Sequence, residues 1–210
     1  MRIEKFDYND IDDLFANTYL VSDENNDAII IDPSVDNDRL ISFIIAHKYN
    51  LKAVLLTHGH FDHIRGVNRL LKEFEVPLYI HEYDKEFLTN SYLNCSISEG
   101  KEIVINKDPI LLHDNDMLSL LKERIRVIHT PFHTKGSVCF YIEDCGALFS
   151  GDTLFKFSIG RDDLPGSDPR SVYASLEKLK KLDENTKVYP GHGPNTVLKT
   201  EFMLNRFLLK

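Results

Sequence analysis

A layered α/β fold is what this sequence predicts, and three observations carry that prediction. Short apolar runs of strand length alternate with segments whose apolar residues recur at helical spacing. The runs stop at turn chemistry: Ile29-Ile30-Ile31 ends at Asp32-Pro33, where proline disfavours further pairing. Four polar clusters rich in histidine, aspartate and glycine each follow a strand-like run, the position at which α/β folds place their sites.

Taken in chain order, the run 29–31 reads as a buried strand, and Leu40, Ile41, Ile44 and Ile45 repeat as one face of a helix. Ala53-Val54-Leu55-Leu56 is a second strand. A helix with Ile64, Val67, Leu70, Leu71 and Phe74 on its apolar face follows, then a strand over 77–81. Residues 90–116 show turn residues, one β-branched run at Ile103-Val104-Ile105 and no sustained period. Strands return over 125–128, 138–142 and 147–149. Ser167-Asp168-Pro169 looks like a helix start with proline near the first helical position, and Val172, Leu176 and Leu179 supply that helix's buried face. Residues 187–189 form a last strand and 196–207 a closing helix. Strands regularly interleaved with helices predict helices covering sheet faces.

The bulk numbers set limits. With 210 residues and no repeat, low-complexity tract or flexible linker, one domain over 1–210 is the simplest organisation. The chain is 42% hydrophobic and 28% charged, ordinary for a folded protein rather than a disordered one. Asp and Glu outnumber Lys and Arg by 33 to 25, and no compact basic cluster is present, so nucleic acid is not an expected partner. Residues 1–10 are polar, and no apolar stretch reaches the roughly 20 residues needed to span a bilayer. A cytoplasmic protein without a membrane partner is therefore expected, its oligomeric state left open. Cys95, Cys139 and Cys145 lack CxxC spacing and read as small core or boundary residues.

The chemistry lies in His58-Gly59-His60-Phe61-Asp62-His63, Thr130-Pro131-Phe132-His133, Ser150-Gly151-Asp152 and Pro190-Gly191-His192-Gly193. Three imidazoles and a carboxylate within six residues suit metals that accept nitrogen and oxygen ligands, zinc first among them. Gly59 is expected to let this loop turn tightly, with Asp62 and His63 at the start of the next helix. His47, His81, His113 and His129 need no special role; histidine is commonly intermediate in burial.

His58-x-His60-x-Asp62-His63, followed in order by His133, Asp152 and His192, resembles the metallo-β-lactamase superfamily over most of the chain, from Asp32 to His192. Within it, Thr130-Pro131-x-His133-Thr134-x-Gly136, Ser150-Gly151-Asp152-Thr153-Leu154-Phe155 and Pro190-Gly191-His192-Gly193 are similar to the glyoxalase II (hydroxyacylglutathione hydrolase) branch. The resemblance implies a four-layer αβ/βα sandwich and two divalent cations, zinc in the first place, iron or manganese also suited. It assigns one cation to His58, His60 and His133 and the other to Asp62, His63 and His192, with Asp152 bridging. Asp62 and Asp152 are the carboxylates it places at the chemistry. Asp32 matches a family aspartate beside the site, where it either supports a ligand histidine or simply forms a turn before proline.

Such a centre would acidify a water from about 15.7 toward 7 and supply hydroxide at neutral pH. A thioester then needs little more, because a thiolate of parent pKa about 8.5 leaves nearly unaided, whereas an amide nitrogen must be protonated. The implied activity is hydrolysis of a small-molecule thioester to thiol and carboxylic acid. Residues 158–166 resemble the substrate loop of short glyoxalase II-like proteins. Arg161 there is a candidate clamp for a substrate carboxylate; its alternative is an ion pair with Asp162, Asp163 or Asp168. Asp163 stands where the full-length enzymes carry Tyr, and the helical extension with basic residues for glutathione is expected to be absent. Phe132 replaces a common Gly and is expected to narrow or line the pocket. A persulfide dioxygenase of the same superfamily, with one iron held by His58, His133 and Asp152, is the first alternative, and a lactone hydrolase the second. A β-lactamase is disfavoured, because Asp152 is not the cysteine many of those enzymes use and no export signal is seen.

Overall fold

Successive side chains on a strand point to opposite faces, and in this chain both faces of the central strands are buried. The computed structural model describes residues 1–7 and 15–209, so the end of the polar first ten residues lies outside the described ones. Six strands form the first sheet in chain order: β1 (Arg2–Phe6), β2 (Thr18–Ser22), β3 (Asp27–Ile31), β4 (Asn50–Leu55), β5 (Leu78–His81) and β6 (Ile110–Leu112). The second sheet runs β7 (Met117–Leu118), β8 (Ile125–His129), β9 (Val138–Ile142), β10 (Ala147–Gly151), β11 (Lys187–Pro190) and β12 (Thr196–Val197). Both sheets mix parallel and antiparallel pairs, with β3, β4, β5 and β6 parallel to one another in the first and β10 parallel to β11 in the second.

Alternation along these strands generates three cores and hence four layers. Ile29, Ile31, Ala53 and Leu55 meet Val138, Phe140, Ala147 and Phe149 between the sheets. The intervening residues Ala28, Ile30 and Val54 face the other way, against the helices α1 (Asp38–Ala46), α2 (Phe61–Ile64) and α3 (Val67–Glu73). On the far side Cys139, Tyr141, Leu148 and Val188 pack beneath α4 (Val172–Leu179) and α5 (Leu198–Leu204). The αβ/βα sandwich is thus the one the sequence implied, and α1 opens as its pattern suggests. Asn37 Oδ1 accepts the Arg39 amide at 3.0 Å as a cap, and Asp38 sits in the first turn.

Several elements differ from expectation for local reasons. The helix predicted after β4 is two, because Gly66 breaks it. The Gly66 amide bonds Pro33 O at 2.7 Å, and a Cβ there would run into the Val35 carbonyl. The Ile103–Ile105 run, to which the sequence assigns no element, forms no strand or helix. Ile105 is buried in the helix-side core, while the Asn94 side chain stitches the loop by donating to Phe87 O and Ile103 O. The segment 196–207 begins as β12 rather than as helix. Phe132 neither narrows nor lines the cavity beside the site: it is wholly buried in the core under α4. No helix among the described residues is long and apolar enough to cross a membrane.

Candidate metal centre

Every polar cluster singled out in the sequence follows the carboxyl end of a strand, and the sandwich brings those ends to one edge. His58 and His60 follow β4, Asp62 and His63 lie in α2, His133 follows β8, Asp152 follows β10, and His192 follows β11. Among the described residues three groups of three form there, His58-His60-His133, Asp62-His63-His192 and, linking them, His58-His63-Asp152, with one donor atom from each residue within 4.8 Å of the others. His60 Nδ1 lies 2.9 Å from His133 Nε2. His192 Nε2 lies 3.0 Å from Asp62 Oδ2. Asp152 stands between the groups: Oδ1 is 3.3 Å from His63 Nε2, and Oδ2 is 3.4 Å from His133 Nε2 and 3.7 Å from His192 Nε2.

The outer nitrogens of three of these rings are fixed by oxygen atoms. Asp32 Oδ2 accepts from His63 Nδ1 at 2.8 Å. The same carboxylate accepts the Thr57 amide and hydroxyl at 2.8 and 2.6 Å, which leaves the Thr57 oxygen to accept from His58 Nδ1 at 3.1 Å. The Arg161 carbonyl accepts from His133 Nδ1 at 2.7 Å. With each Nδ1 proton so directed, the Nε2 lone pairs of His58, His63 and His133 turn inward. Asp32 therefore braces two rings, one directly and one through Thr57, and does so from a left-handed backbone with φ of +50°. A non-glycine residue in that region costs on the order of 1–3 kcal/mol, a strain the surrounding bonds must hold.

The inward atoms include His58 Nε2, His63 Nε2 and Asp152 Oδ1, all buried and without a hydrogen-bond partner. Buried polar atoms are almost always satisfied, so orphans converging on one point fit a cation, and the nitrogen–oxygen donor set suits a divalent metal pair. The charges agree. Burial and then the neighbouring imidazoles keep His58 well below its usual range, and burial holds His60 at about 3, so both are neutral donors. Burial alone would also lower His63 and His192. The carboxylates outweigh it, Asp32 foremost at His63 and Asp152 at His192, and raise both. Burial opposes ionisation of Asp62 and Asp152, yet the nearby imidazoles hold both below the ordinary carboxylate range.

Two features escaped the sequence. Asp84, wholly buried, accepts Gly59 N at 3.0 Å and Thr134 Oγ1 at 2.7 Å on Oδ2, and Gly136 N at 2.8 Å on Oδ1. It ties the loop of His58 and His60 to that of His133. Burial pushes its carboxyl up to about 6 against these three donors. Gly59 in turn answers to space rather than to a tight turn, since any Cβ there would strike the Phe87 side chain. The second feature is the 158–166 loop, which serves the centre through a backbone carbonyl. The Arg161 guanidinium itself is taken by Asp163, Nε to Oδ1 at 2.6 Å and Nη2 to Oδ2 at 2.9 Å, the ion-pair alternative of the two readings. Of the histidines set aside, His81 is buried and stacks on His129 at 3.9 Å between ring centroids. Cys139 is buried, Cys95 half-buried and Cys145 exposed, all free. A cavity of about 410 Å³ opens beside the centre, in the range of small-molecule sites.

Residues 11–192 match the model of the metallo-beta-lactamase superfamily. The chain is 35% identical over 196 residues to the probable metallo-hydrolase YqgX of Bacillus subtilis (strain 168), covering 92% of each. It is 32% identical over 195 residues to the hydroxyacylglutathione hydrolase GloC of Haemophilus influenzae, covering 91% of this chain and 92% of the relative. Among solved structures, BLEG-1 B3 metallo-beta-lactamase superposes with a TM-score of 0.92 at 35% identity, over 100% of both chains. TTHA1623 in a di-iron-bound form gives 0.84 at 36%, over 92% and 95%. ETHE1 from Myxococcus xanthus gives 0.78 at 25%, over 100% of this chain and 86% of that one.

Proposed function

The chain belongs to the metallo-β-lactamase superfamily, and from that premise we propose that it is a binuclear metal-dependent hydrolase of small-molecule thioesters. The observation that carries the reading is Asp152, whose carboxylate lies against both groups, 3.3 Å from His63 and 3.4 Å from His133. A carboxylate can serve two cations at once; an imidazole nitrogen cannot. His58, His60 and His133 would hold one metal, Asp62, His63 and His192 the other, and Asp152 both. Bound there, the pair supplies Lewis acidity and a water acidified enough to attack at neutral pH.

The rest of the chain holds and shields this centre. Asp32, Thr57 and the Arg161 carbonyl fix ring orientation, while Phe61, Phe155 and Leu164 line the cavity and keep solvent from the scissile bond. Hydrolysis adds water across the acyl–sulfur bond, with OH to the carbonyl carbon and a proton to the departing sulfur. Since a thiolate leaves without prior protonation, no separate acid is demanded of the cavity wall. The likeness to GloC, a hydroxyacylglutathione hydrolase, supports the thioester. Zinc suits the donors, and the di-iron form of TTHA1623 supports iron as an occupant. The reading needs neither nucleic acid nor membrane and sets the protein in the cytoplasm, where its three cysteines would stay reduced.

Elemental analysis and a thioester assay on one sample test this. Two metals per chain with turnover are expected, and His58→Ala or Asp152→Ala should lose metal and activity together. A second reading, a mononuclear-iron persulfide dioxygenase, draws on the likeness to ETHE1. One iron per chain, no hydrolysis and oxygen uptake with a persulfide would establish it instead. A β-lactam belongs in the same assay because of the likeness to BLEG-1; turnover of the lactam alone would overturn the thioester.

A further inference from the structure

Resting on the thioesterase reading, we infer that the site selects thioesters whose thiol portion is neutral or carries an ammonium group, and disfavours those bearing a carboxylate. The argument starts from the cavity wall. Beyond the candidate ligands, the charged side chains lining it among the described residues are Glu99 and Arg161. Arg161 is the one group there that could receive a carboxylate, and its Nε/Nη2 edge is bonded to Asp163. A carboxylate approaching that edge must displace Asp163, and one approaching the Nη1 side meets a guanidinium whose charge Asp163 already offsets. Either way it sits beside the Asp163 carboxylate, with Glu99 on the same rim.

The next cavity along the surface, about 440 Å³, shares Phe61 and Glu99 with the first. It extends the same electrostatics, for Asp36 and Glu102 join Glu99 there against Arg65 and Lys101, and Arg65 lies over the Phe61 and Phe15 rings. A tail running that way meets more anionic groups than cationic ones. Apolar contact with Phe61, Phe155 and Leu164 is open to any acyl thiol, so charge on the tail does the sorting. Asp163 and Glu99 are the residues that set it. Both belong to the solvent-facing rim, where ion pairs are weak and screened by salt, so discrimination of about three- to tenfold is expected.

The test uses the metal-loaded protein and three thioesters with one acyl group: S-acetyl-N-acetylcysteamine (neutral), acetylthiocholine (cationic) and S-acetyl-3-mercaptopropionate (anionic). Expected is a kcat/KM for the first two several-fold above the third, a gap that shrinks as salt is raised. Asp163→Asn, which removes the charge that offsets Arg161, should lift the ratio of anionic to neutral turnover about fivefold, and Glu99→Gln should lower the ratio of cationic to neutral. Equal or faster turnover of the anionic thioester by the wild type, or a ratio unmoved by Asp163→Asn, overturns the inference alone. No turnover of any of the three with two metals bound removes the thioesterase reading and the inference with it.

Discussion

Asp84 bonds to none of the seven candidate ligands, yet it couples the loops that carry three of them. An asparagine there would keep one oxygen for Gly59 N and Thr134 Oγ1 and turn its amide group toward the Gly136 N–H, donor against donor. Asp84→Asn is therefore expected to destabilise by about 1–3 kcal/mol and to weaken metal retention by about tenfold. Thermal unfolding and a chelator competition measure the two; normal retention would mean that the tie does not steer the ligand loops. The seven histidines and aspartates were legible in the sequence because metal chemistry restricts residue type and because four of them crowd into six positions. Asp84 was not, since its partners are two backbone amides and a hydroxyl far along the chain. What could have flagged it is an acidic residue just past a strand end, paired with glycines at 59 and 136 that tolerate no side chain.

At the scale of elements, α5 anchors the start of the 158–166 loop. Glu201, wholly buried, accepts Phe157 N at 2.8 Å and Asn205 Nδ2 at 2.9 Å on one oxygen, and Thr196 Oγ1 at 2.6 Å on the other. Asn205 also donates to Ser158 O at 3.1 Å. The loop so anchored runs on to Arg161, whose carbonyl holds His133. Glu201→Ala should cost about 3 kcal/mol, as hydrogen bonds to a buried charge are lost and their donors left bare. It should also speed amide exchange over 155–161 and lower kcat/KM. Unaltered exchange there would count against the anchor. The strands and helices with long apolar runs were visible from periodicity, but β1, β2, β6, β7 and β12 were not. Strands of two or three residues such as β6, β7 and β12 exist only through the partner beside them. In β2 the polar Thr18 and Ser22 are buried with Tyr19, Leu20 and Val21, which hides any alternation.

For the molecule as a whole, period-two alternation in β3, β4, β9 and β10 accounts for the four layers, which the family resemblance implied; the apolar runs themselves predicted only helices covering sheet faces. The contact between sheets at the site edge was not foretold. His81 ends β5 in one sheet and stacks on His129, which ends β8 in the other. Burial, and then His129, depresses His81 to about 4, and burial lowers His129 as well. An unfolded chain takes up these protons near pH 6.5, so the stability the neutral stack contributes is complete above that pH. It is lost progressively as pH falls from about 6.5 to about 4. His81→Gln should lower Tm at pH 8, and its deficit against the wild type should shrink as pH falls through this window. A deficit constant with pH would locate the acid sensitivity elsewhere.

Each candidate metal group draws on both sheets, and this has a consequence for how the protein is made. His58, His60, Asp62 and His63 emerge together during synthesis; His192 follows roughly 130 residues later, on the order of ten seconds at usual elongation rates. For roughly the first half of that interval, until His133 and then Asp152 emerge, the nascent chain displays a partial chelator. Any cation captured then is held on availability and affinity for imidazole, and the geometry that discriminates among metals arrives only when the second sheet docks.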